Sequence, residues 1–143
     1  WARRTPDLPY RGPDEVLVMA SIVEKETGAA DERPLIASVF VNRLRLGMRL
    51  QTDPTVIYGL GDAFEGNLRK DDLLRDTAYN TYTRAGLPPG PIALPGAAAL
   101  DAAVRPETSR MLYFVAKGGG RHQFSETLDD HNRAVSRYQR GGR

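Results

Sequence analysis

Over residues 15–28 the chain reads E-V-L-V-M-A-S-I-V-E-K-E-T-G, and Val16, Met19, Ile22 and Val23 recur at the steps that share one face of an α-helix. The next position on that stripe is Glu26, whereas Glu24 shares its face with Leu17, Ala20 and Ser21, at the stripe's edge. Thr27 is a weak interior residue and Gly28 can take the left-handed conformation that closes a helix, so the pattern predicts a helix ending just past Glu26. A second amphipathic face, Ile36, Val39, Phe40 and Arg43 with Leu35 and Leu46 beside them, predicts a helix over residues 32–46. Asp31 is its expected N-cap, Pro34 sits in its first turn, and Gly47 supplies the stop. These two helices are expected to form the core pair.

After Met48 the periodicity breaks. Thr52 or Asp53 followed by Pro54 has the form of an N-cap and first helical position, predicting a short helix to about Gly59 with Gln51 and Asp53 at the loop-to-helix junction. Residues 61–96 show little periodicity, yet Leu68, Leu73, Leu74, Tyr79, Tyr82, Leu87 and Ile92 are more apolar surface than a linker carries. The expectation is an ordered, tyrosine-lined loop. Its tyrosines and asparagines suit a sugar, rings on the apolar face and amides on the hydroxyls, and equally suit loop packing.

Residues 97–104 predict a short alanine-rich helix ended by Pro106, and residues 111–116, M-L-Y-F-V-A, a buried strand. Gly118, Gly119 and Gly120 turn that strand into R-H-Q-F, giving a β-hairpin over residues 111–125, and Ser125 or Thr127 caps a last helix running to about Tyr138. The final R-Y-Q-R-G-G-R predicts a frayed end. Residues 1–13, with three prolines, read as a linker or a packed-down extended lead, and the abrupt start at Trp1 as a cut inside a longer protein. The fold class that follows is α+β: a mainly helical single domain, residues 14–143, with a small antiparallel sheet.

Composition narrows the chemistry. A length of 143 residues fits one domain, and 20 basic against 18 acidic residues leave a net charge of +2, too little to argue for nucleic acid. No run of four basic residues and no aromatic-rich basic segment occurs. The lack of cysteine removes disulfides, thiolate metal sites and a cysteine nucleophile together. No apolar run approaches the roughly 18 residues that span a bilayer, and no signal-peptide pattern opens the chain.

A carboxylate that continues an apolar stripe is partly desolvated, and in the last turn it faces the negative end of the helix dipole. Both effects push its pKa up, the condition for a general acid that keeps its proton near neutrality. The plainer alternative is a helix end whose Glu26 reaches water or pairs with an arginine.

The segment A-S-I-V-E-K-E-T does not stand alone. With R-L-x-L-G-M-R-L-Q-T-D-P-T-V-I-Y-G, A-Y-N-T-Y, G-L-P-P-G-P-I-A-x-P-G, L-Y-F-V-A and H-x-F-S-x-T-x-x-x-H-N, in that order from Leu8 to Tyr138, the chain closely resembles the catalytic domain of the endolytic murein transglycosylases of the MltG, or YceG-like, family. The resemblance implies cleavage of the β-1,4 bond between N-acetylmuramic acid and N-acetylglucosamine within glycan strands, leaving a 1,6-anhydromuramic acid end, and a lysozyme-like catalytic helix. Glu26-Thr27 resembles the helix-end Glu-Ser pair of soluble lytic transglycosylases and goose-type lysozymes, whereas Glu24 is followed by Lys25. The catalytic role is therefore carried to Glu26, with Glu24 as the fallback. Ala78-Tyr79-Asn80 resembles an A-Y-N motif lining those enzymes' clefts, and Gln51 their middle glutamine, although the surrounding spacing differs. The same motifs put Asp53, Thr55, Tyr82, His122, His131 and Asn132 among the residues expected to meet the glycan.

No cofactor or metal is implied. The resemblance further implies a parent protein with an N-terminal membrane anchor, acting at the periplasmic face of the inner membrane alongside peptidoglycan synthases. Three rival readings differ in kind. Asp53 facing Glu26 across a cleft would make a hydrolase, a muramidase; loop tyrosines holding sugar without catalysis would make a glycan-binding module. A metal held by His122 and His131 with Asp129 or Asp130 lacks the spacing of a helix-borne site.

Overall fold

The computed structural model describes residues 4–26 and 28–140. In chain order the elements are α1 (Pro13–Glu26), a 3₁₀ turn (Ala30–Glu32), α2 (Arg33–Arg45), α3 (Asp53–Leu60), α4 (Lys70–Leu74), α5 (Ala97–Val104), β1 (Tyr113–Gly118), β2 (Arg121–Ser125) and α6 (Leu128–Val135). The chain is thus a mainly helical α+β domain with one two-stranded antiparallel sheet. Among the described residues no helix is long and apolar enough to cross a membrane.

The apolar stripe of α1 goes where its spacing directs it: Met19, Ile22 and Val23 have no exposed surface. Its principal neighbour is α5 rather than the expected α2. Alanines explain the choice, because Ala99, Ala102 and Ala103, all buried, let α5 approach α1 closely, while Ile36 and Phe40 of α2 fill the space beside them. The buried Ser21 hydroxyl donates to the Val18 carbonyl at 2.6 Å and accepts the Ile92 N–H at 3.0 Å, which pins the loop before α5 onto α1. The lead packs down on the same core: Thr5 N–H donates to the Val104 carbonyl at 2.8 Å and Tyr10 O–H to the Ala103 carbonyl at 2.9 Å.

Several local expectations change. Asp31 is not the cap of α2; it lies in the 3₁₀ turn and takes the Arg121 guanidinium on both oxygens at 3.1 Å. Glu32 occupies the N-cap position without a capping bond because its carboxylate is engaged by the hairpin. Leu46 is exposed, and the short α4, too polar and brief to show periodicity, interrupts the region read as loop. Of the two candidate caps for the last helix, Thr127 accepts the Asp130 N–H at 3.2 Å, and α6 passes into a π-helical turn, Ser136–Arg140.

The hairpin pairs Tyr113 with Ser125 and Phe114 with Phe124, and its turn residues Gly119 and Gly120 adopt φ of +64° and +75°, which glycine allows without strain. Its tip presses on the segment after α1: a Cβ on Gly28 would stand 2.3 Å from the Gly120 carbonyl oxygen. Two backbones meet there, so the hairpin is fixed to the end of α1.

Candidate active site

The hairpin and the ends of α1 and α2 border a groove. A cavity of about 630 Å³ is lined by Glu26 from the end of α1, Phe40 and Arg43 from α2, Gln51 and Asp53 before and at the start of α3, Tyr82, the strand residues from Tyr113 to Ala116, and His122, His131 and Asn132. Helix ends and loop junctions deliver Glu26, Arg43, Gln51 and Asp53, strand β2 delivers His122 and α6 delivers His131 and Asn132, while Val39, Phe40 and Leu50 supply apolar lining.

Glu26 is partly buried, and its carboxyl is pushed up from 4.5 to about 7. Burial is the largest cause, the charge of Asp53 adds to it, and the nearby Thr52 hydroxyl opposes both. That hydroxyl stops short of ordinary hydrogen-bond geometry and has no partner among the described residues. Thr52 is 1% exposed, and its backbone is locked by Thr81 and Thr55: its N–H donates to Thr81 Oγ1 at 2.9 Å, and its carbonyl accepts the Thr55 hydroxyl at 2.8 Å. Thr52 therefore takes the N-cap position of α3 without capping it, and Asp53 is the first helical residue. The Asp53 carboxylate accepts the Tyr82 O–H at 2.5 Å, and burial together with this bond raises the Tyr82 pKa.

The fallback acid has another job. Glu24 Oε1 accepts the Gly96 N–H at 2.8 Å, at the N-terminus of α5, so this carboxylate ties two helices together outside the groove. Thr27, the second half of the Glu-Thr pair, lies outside the described residues.

A second polar cluster surrounds Arg43. Its Nε donates to the Leu112 carbonyl at 2.7 Å, and its Nη1 to the Arg49 carbonyl at 2.9 Å and to Gln51 Oε1 at 3.4 Å. The Tyr113 ring has the Arg43 guanidinium over it at 4.9 Å and the His131 ring stacked on it at 5.0 Å. Burial, and then the charge of Arg43, lower the His131 pKa, so this ring is neutral at pH 7. His122 is oriented differently: its Nδ1 lies 3.0 Å from Glu32 Oε1, and its backbone N–H donates to the same carboxylate at 3.1 Å. A carboxylate only accepts, so Nδ1 carries a proton there, and Nε2 lies at the opposite edge of the ring.

Of the residues expected to meet a glycan, Gln51, Asp53, Tyr82, His122, His131 and Asn132 line the groove with Glu26. Thr55, Tyr79 and Asn80 do not, and each has a structural occupation instead. Thr55 is fully buried against Thr52 and Thr81, and Tyr79 packs on Tyr58 at 4.8 Å. Asn80, 1% exposed, donates to the Leu73 and Arg75 carbonyls at 3.0 and 2.7 Å and accepts the Tyr82 N–H at 2.8 Å. It shapes the loop that presents Tyr82. Among the described residues no group of three or more metal-ligating side chains converges.

No role at the groove was expected of four groups around it: Thr52, Arg43 and Tyr113, which stand inside the quoted motifs, and Glu32, which does not. Arg43 had a usable signal, since it continues the apolar stripe of α2 as Glu26 continues that of α1. Thr52 showed only its place as a candidate N-cap and Glu32 showed nothing, because their roles depend on residues about 30 and 90 positions away.

The chain matches the YceG-like family over residues 2–137. It is 47% identical over 124 residues to a Bacillus subtilis protein named endolytic murein transglycosylase, a match covering 87% of this chain and 34% of that one. A Streptococcus pneumoniae protein of the same name is 35% identical over 130 residues, covering 87% of this chain and 24% of that one. A crystal structure of a YceG-like protein from Listeria monocytogenes superposes with a TM-score of 0.79 at 49% identity, covering 84% of this chain and 39% of that one. The chain thus spans about a third or less of the curated relatives' length. With the family match running nearly end to end, the chain belongs to the YceG-like family.

Proposed function

We propose that this chain is the catalytic domain of an endolytic lytic transglycosylase that cuts the MurNAc-β-1,4-GlcNAc bond of peptidoglycan strands and leaves 1,6-anhydromuramic acid ends. The observation that carries the proposal is Glu26: a groove-lining carboxyl with its pKa pushed to about 7, so that proton donor and proton acceptor are both populated near neutrality. Protonated Glu26 gives its proton to the glycosidic oxygen as the C1–O bond breaks through an oxocarbenium-like state. The resulting carboxylate takes the proton of the muramic acid 6-hydroxyl, whose oxygen closes on C1. No water is consumed, Glu26 ends protonated, and no second carboxylate is required as nucleophile. In this scheme burial keeps the acid protonated, the neighbouring charge of Asp53 adds to it, and Tyr82 holds Asp53 in place. Gln51, His122, His131 and Asn132 are the proposed glycan contacts.

The names of the relatives support the reaction class. The longer protein is proposed to act at the periplasmic face of the inner membrane beside peptidoglycan synthases, on the family resemblance alone.

One observation favours a second reading. Asp53 is free of the capping role expected of it and lies near Glu26 in the same groove, as a muramidase pair would. Mass spectrometry of digested glycan strands separates the two, since anhydro ends are one water lighter than reducing ends. Anhydro ends are expected, abolished in Glu26→Gln. Asp53→Asn is expected to keep making them, with the alkaline limb of the pH profile moved down by less than about one unit. Reducing ends would establish the hydrolase, and complete loss of cleavage in a folded Asp53→Asn would overturn the lone-carboxyl scheme.

A further inference from the structure

Arg43 is the only buried arginine among the described residues, 7% exposed, and no carboxylate among them lies within ion-pair distance of it. A buried charge is costly unless something compensates it. Here the compensation comes from neutral groups only: the carbonyls of Leu112 and Arg49, the Gln51 amide oxygen and the face of Tyr113. These partners fix the plane of the guanidinium without neutralising it. They use Nε and Nη1; Nη2 has no protein partner among the described residues and is not sealed from solvent, in a side chain that lines the groove. The neutral His131 nearby leaves Arg43 as the local cation.

A pre-oriented guanidinium with one unpartnered nitrogen, in a side chain that lines a cavity, is suited to an anionic oxygen. We infer that Arg43, through Nη2, is a subsite for a carboxylate carried by the substrate. The inference rests on the proposal that the groove holds murein, and it adds which sugar goes where. Of the two alternating sugars, only muramic acid bears an anionic branch at O3: its own lactyl carboxylate in peptide-free strands, or a carboxylate of the stem peptide. N-acetylglucosamine has neither. The subsite would therefore set the register of the strand, putting muramic acid rather than its neighbour beside Glu26.

Binding is read without turnover, by chemical-shift titration of the ¹⁵N-labelled chain with N-acetylmuramic acid, a muramyl dipeptide bearing one free carboxylate, and N-acetylglucosamine. At least one muramyl ligand is expected to bind roughly tenfold more tightly than N-acetylglucosamine, the size of one charge-assisted hydrogen bond. Whichever muramyl ligand binds better identifies the source of the anion. The advantage is expected to vanish in Arg43→Gln and to persist in Glu26→Gln. Equal affinity for all three ligands overturns the inference, and so does a folded Arg43→Gln that keeps the advantage. Because Arg43 also braces two carbonyls, the wild-type protein supplies an independent arm: the methyl ester of the better muramyl ligand is expected to bind no more tightly than N-acetylglucosamine. An ester that binds as well as its acid overturns the subsite. Equal affinities with anhydro product intact would remove the subsite alone, whereas loss of the anhydro product with the advantage intact would remove the catalytic reading alone.

Discussion

Around Glu26 the groove brings two carboxyl groups together with few donors; around Arg43 it surrounds one cation with acceptors. The first arrangement is poorly solvated and lets a proton come and go, because neither the charged nor the neutral form of Glu26 is strongly favoured near pH 7. The second is fixed in place by two backbone carbonyls and the Tyr113 ring, with the Gln51 side-chain amide as the one adjustable partner named for Arg43. Tyr82 stands between them, bonded to Asp53 and within the field of Arg43. A site that must both hold a polymer and move a proton separates the tasks in this way, since groups that clamp a ligand are poor proton carriers.

The sharpest break of the acidic cluster is Glu26→Gln, expected to lower strand cleavage by about a thousandfold or more, read as formation of new 1,6-anhydromuramic acid ends. The same substitution should reveal what the site costs the fold. Below pH 4.5 Glu26 is protonated folded or unfolded, and as pH rises through about 7 the folded state must take a charge in a partly buried place. Wild-type stability attributable to this group is therefore full at low pH and lost between those values. Urea unfolding is expected to show Glu26→Gln more stable than wild type by up to roughly 3 kcal/mol near pH 8 and indistinguishable near pH 4. Next comes the contact that joins hairpin to helix end. Gly28→Ala drives a Cβ to 2.3 Å from the Gly120 carbonyl, expected to cost roughly 2 kcal/mol in urea unfolding and to lower cleavage by displacing the hairpin wall. The smallest effect is expected at Glu24→Ala, about 1 kcal/mol of stability through the lost Gly96 bond, with cleavage within about twofold of wild type. Two carboxylates separated by one lysine would then differ in kind, one catalytic and one structural.

Legibility followed locality. The stripe of α1 and its end at Glu26, the alanine-rich α5, the glycine turn of the hairpin and the Thr127 cap are properties of a few neighbouring residues, and periodicity or turn chemistry exposes them. The preference of α1 for α5 over α2 was hidden, because the advantage of small alanines appears only once two surfaces meet. Asp31 and Asp53 looked like caps to a rule that sees three residues at a time. One is drawn away by Arg121 and the other by Tyr82, across 90 and 29 positions. Asn80 sits in a segment that resembles a cleft motif and Thr55 was expected to meet the glycan, yet both are spent on folding the loop and helix that present Tyr82 and Asp53. Arg43 was within reach, since a cation on an apolar stripe poses the same question as an acid on one.

The central claim is that this groove holds the Glu26 carboxyl protonated until near neutral pH. Carbon-detected NMR titration of the chain with ¹³C-labelled glutamate side chains, assigned through Glu26→Gln, measures that directly. A midpoint close to 7 for Glu26, falling when Asp53 is replaced by asparagine, is the predicted result. A midpoint near 4.5, unmoved by that replacement, would contradict it.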